Sequence, residues 1–273
     1  MSKLISKVLF VVMSFICTAA IAATPPAGYT FVVPPRQSPE VAEAVYGKIA
    51  HFLTSATGTP ITLHYISNWL TYMEYVQKNK ADLYFDGPSF IGWRIARWHA
   101  NAIVALAGGL DFALVDRKDH APISNIQDLA GAAVCAFSPP NLATLTLDSW
   151  FPNPERRPYI VVIHNFKEGA QKIIQKKCEA ILEPQPVFKR LNKLFPGELQ
   201  IAYRAAPIPN QGFSVSARVP EALREKITAA LLSPAGAVAT KPLRDLFGHK
   251  PLVLVHNKDY LPYRKLLDIM VGF

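Results

Sequence analysis

The chain has 273 residues, half of them hydrophobic, with 29 Lys and Arg against 20 Asp and Glu. That much apolar material suffices for one large domain or two ordinary ones and excludes a globally disordered chain. The basic balance favours anions and anionic surfaces, but no basic run, zinc-finger spacing or RNP-like aromatic pattern points to nucleic acid.

The chain begins with Lys3 and Lys7, an apolar run from Val8 to Cys17, and the small-residue site Ala20-Ile21-Ala22. This order predicts a cleaved signal peptide over 1–23 and a periplasmic protein starting near Ala23 or Thr24. The run is short for a bilayer span, and Ile16 before Cys17 does not fit a lipid-attachment site. Removing the leader takes two lysines and leaves a net charge of +7. Two cysteines remain, Cys135 and Cys178, each beside an apolar strand candidate. They form either a disulfide or two buried thiols.

In chain order, "YTFVVPP" predicts a buried strand and a turn. A helix follows from Ser38, with Val41, Ala44, Val45, Ile49, Phe52 and Leu53 on one face. "GTPITLHYI" is the next strand, Asn68 a cap for a helix over 69–78, and "ADLYF" a third strand running into "GPSF" and a helix over 91–99. After "AIVALAGG", strands are predicted at "DFALVDRKD", "AAVCAF", "YIVVIHN", "EAILEP", "LQIAYRAA" and "NQGFSVSARV". Helices alternate with them over 141–150, 167–177, 187–194 and 220–232, with a short one at "ISNIQDLAG" and two more around Leu243 and Leu266. Sustained alternation with short connections implies an α/β fold of mainly parallel sheets flanked by helices, in two lobes because one sheet rarely carries so many strands.

No Walker loop, GxGxxG, GxSxG, HExxH or CxxC is present, and the seven histidines have no metal-ligand spacing. No enzyme, cofactor or metal site is therefore expected. What remains is a set of strand ends and helix starts, where open α/β sheets bind ligands: "PPRQSP" at 34–39, "SNW" at 67–69, "DGPS" at 86–89 and "SPPNLAT" at 138–144. Unpaired amides at helix N-termini suit an anion. Taken singly, each loop also reads as ordinary turn chemistry.

In order, these segments resemble the PhnD-like periplasmic substrate-binding proteins of phosphate, phosphite and phosphonate ABC transporters, which have the type II periplasmic-binding-protein fold. The resemblance is carried by "KADLYFDGPSFIGW", "DRKDHAPISNIQDLAGAAVCAF", "HNFKEGAQKIIQKKCEAIL" and "APIPNQGFSVSARVPEALREKITAALLS". It implies two lobes joined by hinge strands and closing on a small ligand, with lobe 1 formed by 24–110 and 212–273 and lobe 2 by 111–211. It further implies a monomer that serves a permease and ATPase complex in the inner membrane. A sensory protein of the same fold, signalling to a membrane kinase or chemoreceptor, is the alternative.

By position in the resemblance, Trp69 lines the cleft, Gly87 and Pro88 make its Gly-Pro turn, Ser138 opens the anion loop, and His164 stands near the oxyanion. Arg36, Gln37, Ser89, Asn141 and Thr144 complete the expected donors. The family's anion loop is rich in Ser and Thr, whereas here Pro139, Pro140, Leu142 and Ala143 remove donors. Asp86, Asp111 and Glu183 are acids at positions unexpected beside an oxyanion. They predict contacts to a cationic part of the ligand, structural ion pairs with Arg36, Arg94 or another base, or, with His164, a metal site in an exported metal-binding protein or enzyme.

Overall fold

The computed structural model describes residues 28–119, 123, 125–270 and 273. The predicted leader lies outside the described residues, and among the described ones no helix is long and apolar enough to cross a membrane.

Among the described residues, thirteen strands form two main sheets and a small ribbon. The chain runs through β1 (Tyr29–Val32), β2 (Ile61–Leu63), β3 (Leu83–Asp86) and β4 (Asn101–Leu106), then β5 (Gly109–Leu110). It continues through β6 (Phe112–Arg117), β7 (Ala133–Ala136), β8 (Tyr159–Val162), β9 (Ala180–Pro184) and β10 (Leu199–Arg204). It returns by β11 (Ile208–Pro209), β12 (Gly212–Val215) and β13 (Leu252–Leu254). The first sheet has the order β13-β4-β12-β3-β1-β2, the second β10-β6-β9-β7-β8, and β5 pairs with β11 between them.

The α/β, two-lobed expectation stands, but both sheets are mixed rather than mainly parallel. The strand that returns from the second half, β12, enters antiparallel between β3 and β4. In the second sheet β6 is antiparallel to both of its neighbours. Crossing from one sheet to the other and back reverses the direction of whichever strand makes the crossing. The ribbon strands β5 and β11 and the edge strand β13 have only two or three residues each, too few for a periodicity to register.

The first long helix shows how a local irregularity selects the core. It runs as Pro39–Ala42, a π turn at Glu43–Gly47, and Lys48–Thr57. The wider turn shifts the register, so Ala42, Val45, Tyr46, Ile49, Ala50 and Leu53 are buried while Val41 and Ala44, expected inside, face out. Gly47 lies against the Glu43 carboxylate, which a Cβ there would displace. The helix stops at Gly58, which has a φ of +70°. Asn68 caps the next helix, Trp69–Gln77, by accepting from Thr71 N–H at 2.9 Å.

Cys135 on β7 is disulfide-bonded to Cys178, 43 residues on, which ties β7 to the chain entering β9.

Three acids lie fully inside, Asp86, Asp116 and Glu183. Asp86 at the end of β3 receives both Arg94 nitrogens, Nη1 on Oδ2 at 2.7 Å and Nη2 on Oδ1 at 2.9 Å. The Tyr72 hydroxyl donates to the same carboxylate, and Arg94 Nη2 also donates to Ser214 Oγ on β12 at 2.6 Å. The guanidinium carbon lies 3.9 Å from the centre of the Tyr84 ring. Asp86 is 0% and Arg94 1% exposed. Burial, with the neighbouring carboxylate, raises the Tyr72 phenol well above its ordinary range. Of the readings open for Asp86, the structural ion pair with Arg94 holds; a direct ligand contact is excluded by its burial behind this network.

Glu183 on β9 is opposite Ala113 and also fully buried, but neither of its carboxylate oxygens has a hydrogen-bond partner among the described residues. Desolvation pushes its pKa up to about 8, against a weaker opposing pull from Arg190.

Asp86 and Glu183 generate opposite predictions. Asp86→Ala strands the Arg94 cation in the core and is expected to cost about 3–5 kcal/mol in chemical denaturation, whereas Asp86→Leu with Arg94→Met recovers most of that loss. For Glu183 the folded state keeps a proton that the unfolded chain has already released. Stability therefore falls as pH rises from near 4.5 towards about 8. Glu183→Gln is expected to remove that slope and to gain about 3 kcal/mol near pH 8, read from urea melts at acidic and alkaline pH.

Candidate functional site

A cleft of about 520 Å³ opens between the two sheets. The first sheet presents Arg36 from the loop after β1, Trp69 at a helix start, Gly87 and Ser89 after β3, and Gln211 before β12. The second presents the loop from Phe137 to Ala143, the end of β8 with Ile163 and His164, and Pro184 at the end of β9.

Strand ends explain this placement. β3 delivers Gly87 to the helix Pro88–Trp98, whose first turn carries Pro where an N–H would be unpaired anyway. The first helical bond runs from Ile91 N–H to Gly87 O, so the Ser89 and Phe90 amides precede the ladder and face its open end. Ser89 is 2% exposed, lines the cleft, and its hydroxyl has no hydrogen bond to any described residue. Gly87 leaves space above this turn: a Cβ there would stand 3.7 Å from Arg36 Nη2. Arg36 Nη1 donates to Gln211 Oε1 at 2.6 Å, which aims the guanidinium over the helix start. Trp69 stacks on Phe90 with a 6.3 Å centroid separation and a 16° interplanar angle, forming an aromatic wall beside it.

Arg36 is the one fully charged side chain of the lining, and no carboxylate shares it. It has no acidic partner among the described residues; its one side-chain bond is to the neutral Gln211. An unpaired cation at a helix N-terminus is suited to an anion on both counts.

On the opposite wall the loop spends part of its hydrogen-bonding capacity on itself, while the Leu142 and Thr144 amides precede the first bond of their helix, from Leu145 N–H to Asn141 O. Asn141 Oδ1 accepts from Ala143 N–H at 3.0 Å, Asn141 N–H donates to Ser138 O at 3.3 Å, and Pro139 and Pro140 have no N–H. The Thr144 hydroxyl donates to Phe137 O at 2.7 Å and does not line the cleft. Among side chains, Ser138, the Asn141 amide nitrogen and the His164 ring remain to meet a ligand. His164 is held from behind, its backbone N–H donating to Glu168 Oε2 at 2.8 Å.

Of the residues singled out from sequence, Arg36, Trp69, Gly87, Ser89, Ser138, Asn141 and His164 meet at the cleft. Gln37, Asp86, Pro88, Asp111, Thr144 and Glu183 are not part of its lining. Gln37 uses its carbonyl to accept from the Tyr65 hydroxyl. Pro88 is buried in the helix start, and Asp111 is exposed with its carbonyl accepting from Gln185 N–H. The acids therefore do not supply a cation site in the cleft, and with His164 they form no group able to hold a metal among the described residues. Sequence reasoning missed Phe137, Phe166 and Gln211. Gln211 precedes the returning strand, and both phenylalanines stand at the strand–helix junctions of β7 and β8; that position was their only signal.

The family described as "ABC transporter, phosphonate, periplasmic substrate-binding protein" matches residues 31–260. No curated protein matches the chain. Among solved structures, PhnD1 from Prochlorococcus marinus in complex with methylphosphonate superposes with a TM-score of 0.65 at 12% identity, covering 88% of this chain and 97% of that one. A Xanthomonas citri protein bound to ATP gives a TM-score of 0.65 at 12% identity, covering 88% and 98%. A binding-protein component of an ABC phosphonate transporter from Pseudomonas aeruginosa gives 0.59 at 15% identity, covering 87% and 84%. At such identities the structures show the shared fold, and the family match shows the kinship. The two-lobed architecture, the interlobe cleft and a match over 230 residues agree: this chain belongs to the periplasmic substrate-binding proteins of phosphonate ABC transporters.

Proposed function

We propose that the protein captures a small phosphonate- or phosphate-like oxyanion in the cleft and presents it to an inner-membrane permease and ATPase. The observation that carries this reading is Arg36, the cation of a lining that contains no carboxylate, set over the free amides at the start of Pro88–Trp98. Ser89 and His164 add donors from the two sides, and Trp69 forms a wall. The leader over 1–23 carries the chain to the periplasm. Lobe 1 comprises 24–110 with 212–273 and lobe 2 comprises 111–211, rotating about the paired β5 and β11. The ligand binds and leaves unchanged, as in a substrate-binding component of a transporter.

Arg36 is exposed and its one bond is to Gln211, so Arg36→Gln is expected to fold normally. Losing a charge-assisted contact of about 1.5–3 kcal/mol predicts a roughly 10–150-fold loss of affinity for methylphosphonate by titration calorimetry. The reading is overturned if methylphosphonate, phenylphosphonate, phosphite and phosphate all leave the thermal midpoint of the wild-type protein unmoved. Unchanged affinity in Arg36→Gln would remove Arg36 as the anchor.

A further inference from the structure

The helices that cover one face of the second sheet carry a charge pattern that the cleft does not use. Phe166–Ile174 and Gln185–Leu194 lie side by side there, and their inner sides, with Ala170, Ile173 and Leu191, share one core cluster with Cys135 and Ile181. From 164 to 194 the chain has seven Lys and Arg against Glu168, Glu179 and Glu183, the last of them buried. Outside that stretch, residues 111–211 have five Lys and Arg against seven acids. The positive charge is gathered on one face rather than spread.

Six of the seven cations, Lys167, Lys176, Lys177, Lys189, Arg190 and Lys193, are exposed and form no ion pair among the described residues. Lys172 is the paired one, with Glu168 at 2.9 Å. Asp119 lies near Lys176 but is already held by Arg117 at 3.0 Å. Helix stability does not explain the arrangement. Lys167 stands in a first turn, where a cation opposes the helix dipole, and Lys189 and Lys193 form a like-charged pair about one turn apart. Both placements cost the free protein stability, which an external anion would restore.

We propose that this face docks on an anionic lipid surface and so brings the protein to the membrane beside which it works. The proposal concerns a different surface from the cleft and stands whichever ligand the cleft takes. Lysine is what favours lipid over a protein partner. Protein interfaces are enriched in Arg and aromatic anchors and depleted in Lys, whereas a field of headgroups is met by point charges on flexible stems. Here all the free cations except Arg190 are Lys, and Leu194, at one end, is the exposed large apolar side chain of the two helices. Attachment is then electrostatic and shallow. The helices touch the cleft at their starts, through Phe166 and Pro184, and none of the six cations belongs to its lining.

The test is co-sedimentation of the purified mature protein with vesicles of phosphatidylcholine alone and of phosphatidylcholine mixed with phosphatidylglycerol. The mixed vesicles are expected to bind at least tenfold more tightly, and the difference is expected to vanish at about 1 M salt, where charges are screened beyond roughly 3 Å. The triple variant Lys189→Gln, Arg190→Gln, Lys193→Gln is expected to lose at least fivefold in vesicle affinity with a thermal midpoint no lower than wild type. A matched control, Lys250→Gln, Lys258→Gln, Lys265→Gln, removes the same charge from exposed positions outside this face and is expected to change affinity less than twofold. If the two triple variants lose affinity equally, net charge acts and the assignment to this face is overturned. If wild type does not prefer the anionic vesicles, membrane docking is overturned; binding of poly-glutamate in that case assigns the face to an acidic protein instead.

Discussion

The cleft depends on a charge pair that never meets the ligand. Asp86 ends β3 and Arg94 lies in the second turn of the helix that follows, so their two-pronged contact clamps strand and helix at a fixed angle across Gly87. Ser214 extends the clamp to β12 and Tyr72 to the helix behind. Four elements are thereby fixed around one turn, and the Ser89 and Phe90 amides are held at its mouth. A pair so deeply buried contributes little net stability compared with apolar residues of the same shape, and its value lies in geometry.

The same pair sets the electrostatics of the cleft. A carboxylate four residues from an anion site would ordinarily repel the ligand. Here its charge is met at under 3 Å by Arg94, and the protein surrounding it separates it from the lining. Arg36, which has only the neutral Gln211 as partner, keeps its full charge for the cleft. The chain has two comparable arginines near one turn. One is spent in the core and the other is left at the surface of the cleft, as the proposed capture of an oxyanion requires.

Much of this was legible in the sequence because it depends on local chemistry. The β3–Gly87–Pro88 turn, the Asn68 cap and the strand–helix alternation are written in neighbouring residues, and the structure keeps them. The partner of Asp86 was named in advance as one of several bases, since an i+8 spacing across a turn does not select among Arg36, Arg94 and others. The direction of β12 could not be read, because it is set by the chain's return from 100 residues away rather than by its own composition. The inward side of the first long helix was misread at Val41 and Ala44, because a π turn breaks the period on which the reading relied. Glu183 and Asp111 differ by position in their strands: Glu183 lies inside β9, paired with Ala113 and buried, whereas Asp111 stands just before β6 begins and is exposed.

The helix Leu142–Ser149 joins the two halves on one side of the cleft. Leu145 on this helix is buried in one cluster with Val32, Tyr72, Phe90 and Leu267, while Leu142 touches both that cluster and the core of the second sheet. The two halves are thus joined by apolar contact along one side of the cleft, and the loop from Phe137 is the continuation of that contact. Apolar contact on that side keeps water from the junction of the halves, and a lower local dielectric strengthens the pull of Arg36 on the proposed oxyanion, since the interaction scales inversely with that dielectric.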